Sequence, residues 1–455
     1  MKKRQFLKKT SIVIGTNLIL PMVGCESGKQ VQSGPARVNW AGNLRYSTPN
    51  LDIPADRNSL RQVIKKTDNV KVLGTMHSFN TIADSEHQQV SLEDLDPDIQ
   101  LDTAGRTVTV SGGVQYGVLA RKLHEQGFAL HNLASLPHIS VAGACATATH
   151  GSGDKNGNLS TTVTAMEMVM ADGELLVLNE VQNPEEFKAA VVHLGALGIV
   201  TRISLKIQPT FNVRQYVYEN LSLKQLGANF DPVFSSGYSV SLFTDWQEKR
   251  FNQLWIKQQD DGGDVEEMPE EIFGASAAKT HLHPIKEISA VNCTEQMGIP
   301  GPWHERLPHF KMDFTPSSGE ELQSEYFVPR EHAVEALAAI FSLGEAIFPY
   351  LLISEIRSIR KDSLWLSTAY ERESIAIHFT WKQDWENVQK LLPEIEKELM
   401  PFGVRPHWGK LFALEPTYLR DQYERMEDFT SLMKKMDPQE KFVNDFLKRN
   451  LLNKA

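Results

Sequence analysis

Cysteine is scarce in this chain: 455 residues hold three, at Cys25, Cys145 and Cys293. That excludes a disulfide framework, and the absence of any C-x-x-C spacing or His/Cys/Asp/Glu cluster gives no reason to expect a metal site. Cys145 and Cys293 read as buried thiols. There is no excess of positive charge either. The formal net charge is −10, which argues against a nucleic-acid partner. The G-x-G-x-x-G dinucleotide fingerprint and the G-x-x-x-x-G-K-[ST] phosphate loop are both missing. Internal repeats and low-complexity tracts are missing as well. Long apolar runs are few. The longest near the start, SIVIGTNLILPMVG, is too short and too interrupted to span a bilayer comfortably.

What is present is a soluble-protein composition, 41% hydrophobic and 23% charged, in a chain long enough for two or three domains. Residues 1–24 carry Lys2, Lys3, Arg4, Lys8 and Lys9 and no acid, and the apolar run follows. This reads as an export signal. Met22-Val23-Gly24-Cys25 resembles a bacterial lipoprotein cleavage box. Lys3-Arg4-Gln5-Phe6-Leu7-Lys8 resembles a twin-arginine signal with lysine in place of the first arginine. The expected location is therefore outside the cytoplasm, periplasmic or membrane-anchored through a lipid on Cys25. If the signal is not used, the protein is cytoplasmic.

Residues 25–43 read as a polar linker. Beyond them the pattern alternates. Residues 56–66 have helical periodicity, NVKVLG and TVTVSGG read as strands, and YGVLARKLHEQG reads as an amphipathic helix. Residues 166–178 suggest a hairpin around Asp172-Gly173. PEEFKAAVVHLGALG suggests a helix starting near its proline. From about residue 213 the texture changes to longer strand-like runs, with an acidic loop at 259–272. A long helix is expected from Val334, and another at 386–401 that Pro393 interrupts.

Two stretches concentrate chemistry. VLGTMHSFN, Val72 to Asn80, is an apolar strand running into a turn with His77 near its tip. ASLPHISVAGACATATHGSG, Ala134 to Gly153, packs small residues around serines and threonines. Small side chains let backbone N–H groups approach a ligand, and hydroxyls add donors. Further on, LLISEIRSI sets Glu355 and Arg357 two apart, and IAIHFTW does the same for His378 and Thr380. On strands, each pair points to one face. Paired strands would make a polar floor, which a polyhydroxyl ligand requires. Taken alone, Glu355 and Arg357 read equally as a structural ion pair, His77 as a turn residue and Lys410 as a surface lysine.

HSFN at 77–80, SLPHISVAG at 135–143, THGSG at 149–153 and GALGIVT at 195–201 resemble the FAD-binding half of the vanillyl-alcohol-oxidase superfamily. The runs VNCTEQMGIPGPWHERLPHF, FTPSSGEELQSEYFVPREHA, EIRSI, HFTW and RPHWGK resemble the alditol (xylitol or sorbitol) oxidases within it. The likeness runs from about residue 44 to the C-terminus. It implies an α+β fold with a PCMH-type FAD domain over 44–212, a substrate cap over 213–400, and a C-terminal segment, 401–455, returning to the FAD domain. It also implies FAD bound covalently through His77. The FAD site would comprise Gly74, Thr75, Met76, His77, Ser78, Ser135, Ser140, Gly143, Thr147, Ala148, Thr149, His150, Val200 and His407. Relatives usually carry glycine where Met76 stands.

The implied substrate contacts are Ser135, Glu355, Arg357, His378, Thr380 and Lys410, with Lys410 and Arg357 catalytic. The implied reaction is oxidation of the C1 hydroxyl of a sugar alcohol to the aldose. Hydride passes to flavin N5, and oxygen reoxidises the flavin to give hydrogen peroxide. A flavin aldonolactone oxidase or dehydrogenase is the neighbouring reading. An anchored polyol-binding lipoprotein, which would be colourless, is the non-enzymatic one.

Overall fold

The computed structural model describes residues 37–260, 262, 268–314 and 320–452. The export and lipid signals, like most of the 25–43 linker, lie outside these residues.

The N-terminal layer is built from two small sheets. Leu51–Asp52, Gln88–Ser91 and Val70–Leu73 pair in parallel in that order. The helix Arg57–Lys66 starts at Asp56, whose carboxylate accepts from the Ser59 backbone N–H while Ser59 answers with its hydroxyl. Its Leu60 and Ile64 are buried against Val70 and Val90. An antiparallel sheet of five strands follows, ordered Ile99–Asp102, Thr107–Ser111, Ile199–Lys206, Val163–Val169 and Leu175–Asn179. The expected hairpin at 166–178 is the last pair of these.

The second layer is one large antiparallel sheet. Its central order is Asn212–Ser222, Arg250–Asp260, Ser239–Thr244, Leu351–Ile359, Ser374–Lys382 and Glu321–Pro329. The helices Ala333–Ser342 and Trp385–Leu399 cover one face and bury Leu322, Tyr326, Ile356, Ile377 and Phe379 with their own Leu337, Ile340, Val388 and Ile395. The alternate residues on the same strands are polar and point the other way, yet they too are buried. That arrangement is costly unless those groups are paired or face a ligand.

Three expected helices need correction. The helix at 184 ends at Val191, because Leu194 and Gly195 adopt left-handed backbone, φ 54° and 68°. The helix from Ala333 breaks after Ser342 and resumes at Gly344, where a Cβ would lie 2.2 Å from the Trp246 carbonyl oxygen. Pro393 does not interrupt its helix, which runs unbroken from Trp385 to Leu399. Both Pro393 and Gln389, whose carbonyl loses its partner, are exposed, so water satisfies that carbonyl.

Residues 37–43, assigned above to the linker, are folded. Trp40 N–H donates to the Met76 carbonyl oxygen at 2.8 Å, and Asn39 Nδ2 donates to that of Ser78 at 2.9 Å. At the other end of the chain, Arg405–Pro406 pairs with the large sheet at Tyr326 and Phe327. The chain then returns to the first layer. Val70 N–H donates to the Lys441 carbonyl oxygen, and Asn444 Nδ2 donates to the carbonyl oxygens of Thr81, Ile82 and Asp84.

Candidate active site

A cavity of about 700 Å³ is lined from both layers. On the first side stand the loop Gly74–Ser78 and the residues Ser135, Ser140, Gly143, Thr147, Thr149, His150 and Val200. On the second stand Glu355, Arg357, His378, Thr380, His407 and Lys410. Every expected site residue except Ala148 therefore lines this cavity. Ala148 is fully buried behind it, and its left-handed turn, φ 55°, brings Thr147 Oγ1 to 3.1 Å from Thr149 Oγ1.

The loop at 74–78 is tightly held. His77 stacks on Trp40 with ring centroids 5.1 Å apart. Its Nδ1 lies 2.8 Å from the Thr75 carbonyl oxygen, so Nδ1 carries the proton and Nε2, buried, has no protein partner. Burial pushes the imidazole pKa down to about 4, which keeps the ring neutral and nucleophilic. Met76 sits at φ 61°. The left-handed region explains why glycine suits this position, and a side chain there stores roughly 1 kcal/mol of strain. Across the loop, a Cβ on Gly143 would lie 2.7 Å from Ser140 Oγ, so a larger residue would close the cradle. A small-residue cradle with a free imidazole Nε2 fits FAD, which the 74–78 loop, Ser140, Gly143 and Thr147 to His150 would hold.

The opposite wall is a sheet floor. Glu325, His378 and Glu355 stand in register on three neighbouring strands. Glu325 was not anticipated, yet it is the hub. Its Oε2 is 2.8 Å from Lys410 Nζ; its Oε1 is 2.5 Å from Arg357 NH2 and 3.2 Å from His150 Nε2. Burial works to raise the Glu325 pKa, but Lys410 and Arg357 together hold it well below the carboxylate range. Glu355 is likewise ionised: burial opposes this, and Arg357 and His309 more than compensate. Glu325 and Glu355 thus pair with Lys410 and Arg357 on the floor, and Glu321 lines the same wall. Burial pushes His378 well below its ordinary value, and Lys410 adds to the effect; its Nε2 is buried without a partner. His309, whose Nε2 is 2.7 Å from Glu355 Oε1, was also unforeseen. The signal for Glu325 was available: Glu321, Gln323 and Glu325 repeat at the strand period of two.

Comparison with known proteins identifies the family. Residues 52–179 match the FAD binding domain family, and residues 316–450 match the D-arabinono-1,4-lactone oxidase family. In fold, the chain is similar to cholesterol oxidase from B. sterolicum, with a TM-score of 0.71 at 14% identity over 91% of this chain and 96% of that one. It is 26% identical to L-gulono-1,4-lactone dehydrogenase of Mycobacterium tuberculosis, over 92% of this chain and 99% of the relative. It is 45% identical to alditol oxidase of a Streptomyces species, over 92% of this chain and 99% of the relative. The α+β fold, the FAD-binding domain and this last identity place the chain in the alditol oxidase family of FAD-dependent oxidoreductases.

Proposed function

We propose that the protein oxidises the terminal C1 hydroxyl of a sugar alcohol of the xylitol or sorbitol type to the aldose, with oxygen as the final acceptor and hydrogen peroxide as second product. The observation that carries this reading is the floor of the cavity. Glu325, Glu355, Arg357 and Lys410 are linked in ion pairs and face the FAD cradle from one side of a sheet. A polyol offers many hydroxyls, each needing a donor and an acceptor. Glu355 accepts, Arg357 and Lys410 donate, and Thr380 and Ser135 do either.

Bound FAD supplies the hydride acceptor. The chain's part is to bind, orient and prepare the hydroxyl. Lys410 and Arg357 stabilise the negative charge that grows on the substrate oxygen. Glu325 keeps both cations in place without neutralising them. His378 Nε2, which has no protein partner, is free to bond the substrate, and a water beside Lys410 takes the hydroxyl proton. The test is stoichiometry: each xylitol consumed should yield one xylose and one peroxide. Xylose without peroxide would show that another acceptor replaces oxygen.

The flavin link belongs to the same proposal. The neutral imidazole of His77 supports covalent attachment. Acid-precipitated protein should stay yellow, and His77→Ala should release its FAD to the supernatant; a white wild-type pellet would contradict the link. Export with a lipid on Cys25 is supported by the basic, acid-free start and Met22-Val23-Gly24-Cys25. The mature protein from its host should begin at acylated Cys25, and recovery of an intact Met1 terminus would rule this out.

A further inference from the structure

Lys257 lies within the strand Arg250–Asp260 and is 1% exposed. A buried lysine amine must satisfy its N–H donors. Three acceptors surround it: the carbonyl oxygens of Leu307 at 2.5 Å and Pro308 at 3.3 Å, and His309 Nδ1 at 3.3 Å. An Nδ1 that accepts from lysine leaves the ring proton on Nε2. Nε2–H then donates to Glu355 Oε1 at 2.7 Å. The His309 ring is fixed edge-on between Phe243 and Trp255, so it has little freedom to turn. Glu355 Oε2 is left beside Arg357, 3.7 Å from its Nε. His309 and Glu355 line the cavity, whereas Lys257 stands behind them.

We propose that Lys257 is a positioning residue acting through His309: it fixes the imidazole proton on Nε2, so that Glu355 is held as a carboxylate with one oxygen committed and the other presented to a substrate hydroxyl. This deepens the polyol reading and rests on it. Its consequence is selectivity. An ionised carboxylate oxygen accepts from an O–H and repels a carbonyl or ring oxygen at the same place. The Lys257–His309–Glu355 line therefore favours an open-chain alcohol over a lactone.

The test uses the FAD-loaded full chain and anaerobic reduction of its flavin by xylitol. Lys257→Met should raise the half-saturating xylitol concentration about tenfold or more and leave the limiting rate within about threefold, the signature of lost binding rather than lost chemistry. His309→Gln keeps an N–H for Glu355 without needing the lysine. Adding Lys257→Met to it should change little further. An equal rise in both backgrounds, or no rise from Lys257→Met, overturns the proposal. Should Lys257→Met fail to load FAD, His309→Gln and His309→Phe replace it: a tenfold gap in half-saturation is expected, and equal values overturn the proposal. The tautomer is read separately from the ¹⁵N shifts of His309 in substrate-free protein, identified by their loss in His309→Gln. Protonated Nε2 is expected, and protonated Nδ1 overturns the proposal. A wild type that no polyol reduces, but whose His309 carries its proton on Nε2, would contradict the substrate reading and leave the positioning intact.

Discussion

Lys410 shows what a single side chain does in this site. Its ammonium is drawn into a buried setting that lowers its pKa, and Glu325 opposes that shift from 2.8 Å. In the proposed mechanism it is the group that meets the charge developing on the substrate oxygen. Removing such a donor from the transition state typically lowers the chemical step about 10²–10³-fold. Lys410→Ala should keep its FAD and its fold, since Glu325 retains Arg357, and lose about that factor in flavin reduction at saturating polyol. Thr380→Ala, which loses only a hydroxyl contact, should mainly raise the half-saturating concentration. Stopped-flow reduction separates the two, and a wild-type rate in Lys410→Ala would remove that residue from the mechanism. Met76 is the counterexample to reading residues by type. The glycine that relatives carry there hinted at strain, and the backbone angle of 61° gives the reason.

At the scale of elements, the strand period of two made the site partly legible. Glu355 with Arg357, and His378 with Thr380, each stand out as polar pairs in apolar runs. Glu325 did not, because Glu320, Glu321 and Gln323 precede it and it is one polar residue among several rather than a pair in an apolar run. Periodicity also cannot say which strands are neighbours. Only the register aligns Glu325, His378 and Glu355 in one row. His309 and Lys257 were invisible for a related reason: they are 52 residues apart and meet only through sheet topology.

The helix Trp385–Leu399 carries its own test. Glu396 is buried on its inner face. Its Oε1 accepts from Tyr326 hydroxyl at 2.8 Å and from Ala413 N–H at 2.7 Å. Burial pushes its pKa up from 4.5 to about 7. The folded state thus favours the protonated acid, and stability falls as pH rises from the unfolded value through the folded one. Glu396→Gln should therefore unfold about 2–5 °C higher than wild type at pH 8.5 and at a similar temperature at pH 5. Thermal unfolding at the two pH values decides this, and a lower midpoint at both would contradict the assignment.

The whole molecule is organised so that one cavity has two unlike walls. The first layer offers small residues and an imidazole with a free Nε2; the second offers fixed, ion-paired charge. The chain crosses between them repeatedly. The segment after Arg405 is the clearest case. It pairs with the large sheet, sends His407 and Lys410 to the cavity, and ends packed on the parallel strands of the first layer. Binding an extended anionic cofactor on one side and a string of hydroxyls on the other follows from that division. The most direct measurement is anaerobic mixing of the wild-type protein with xylitol, and separately with L-gulono-1,4-lactone, while the visible flavin absorbance is followed. Xylitol should bleach the flavin, oxygen should restore it, and the lactone should do neither. Bleaching by the lactone alone would contradict the account.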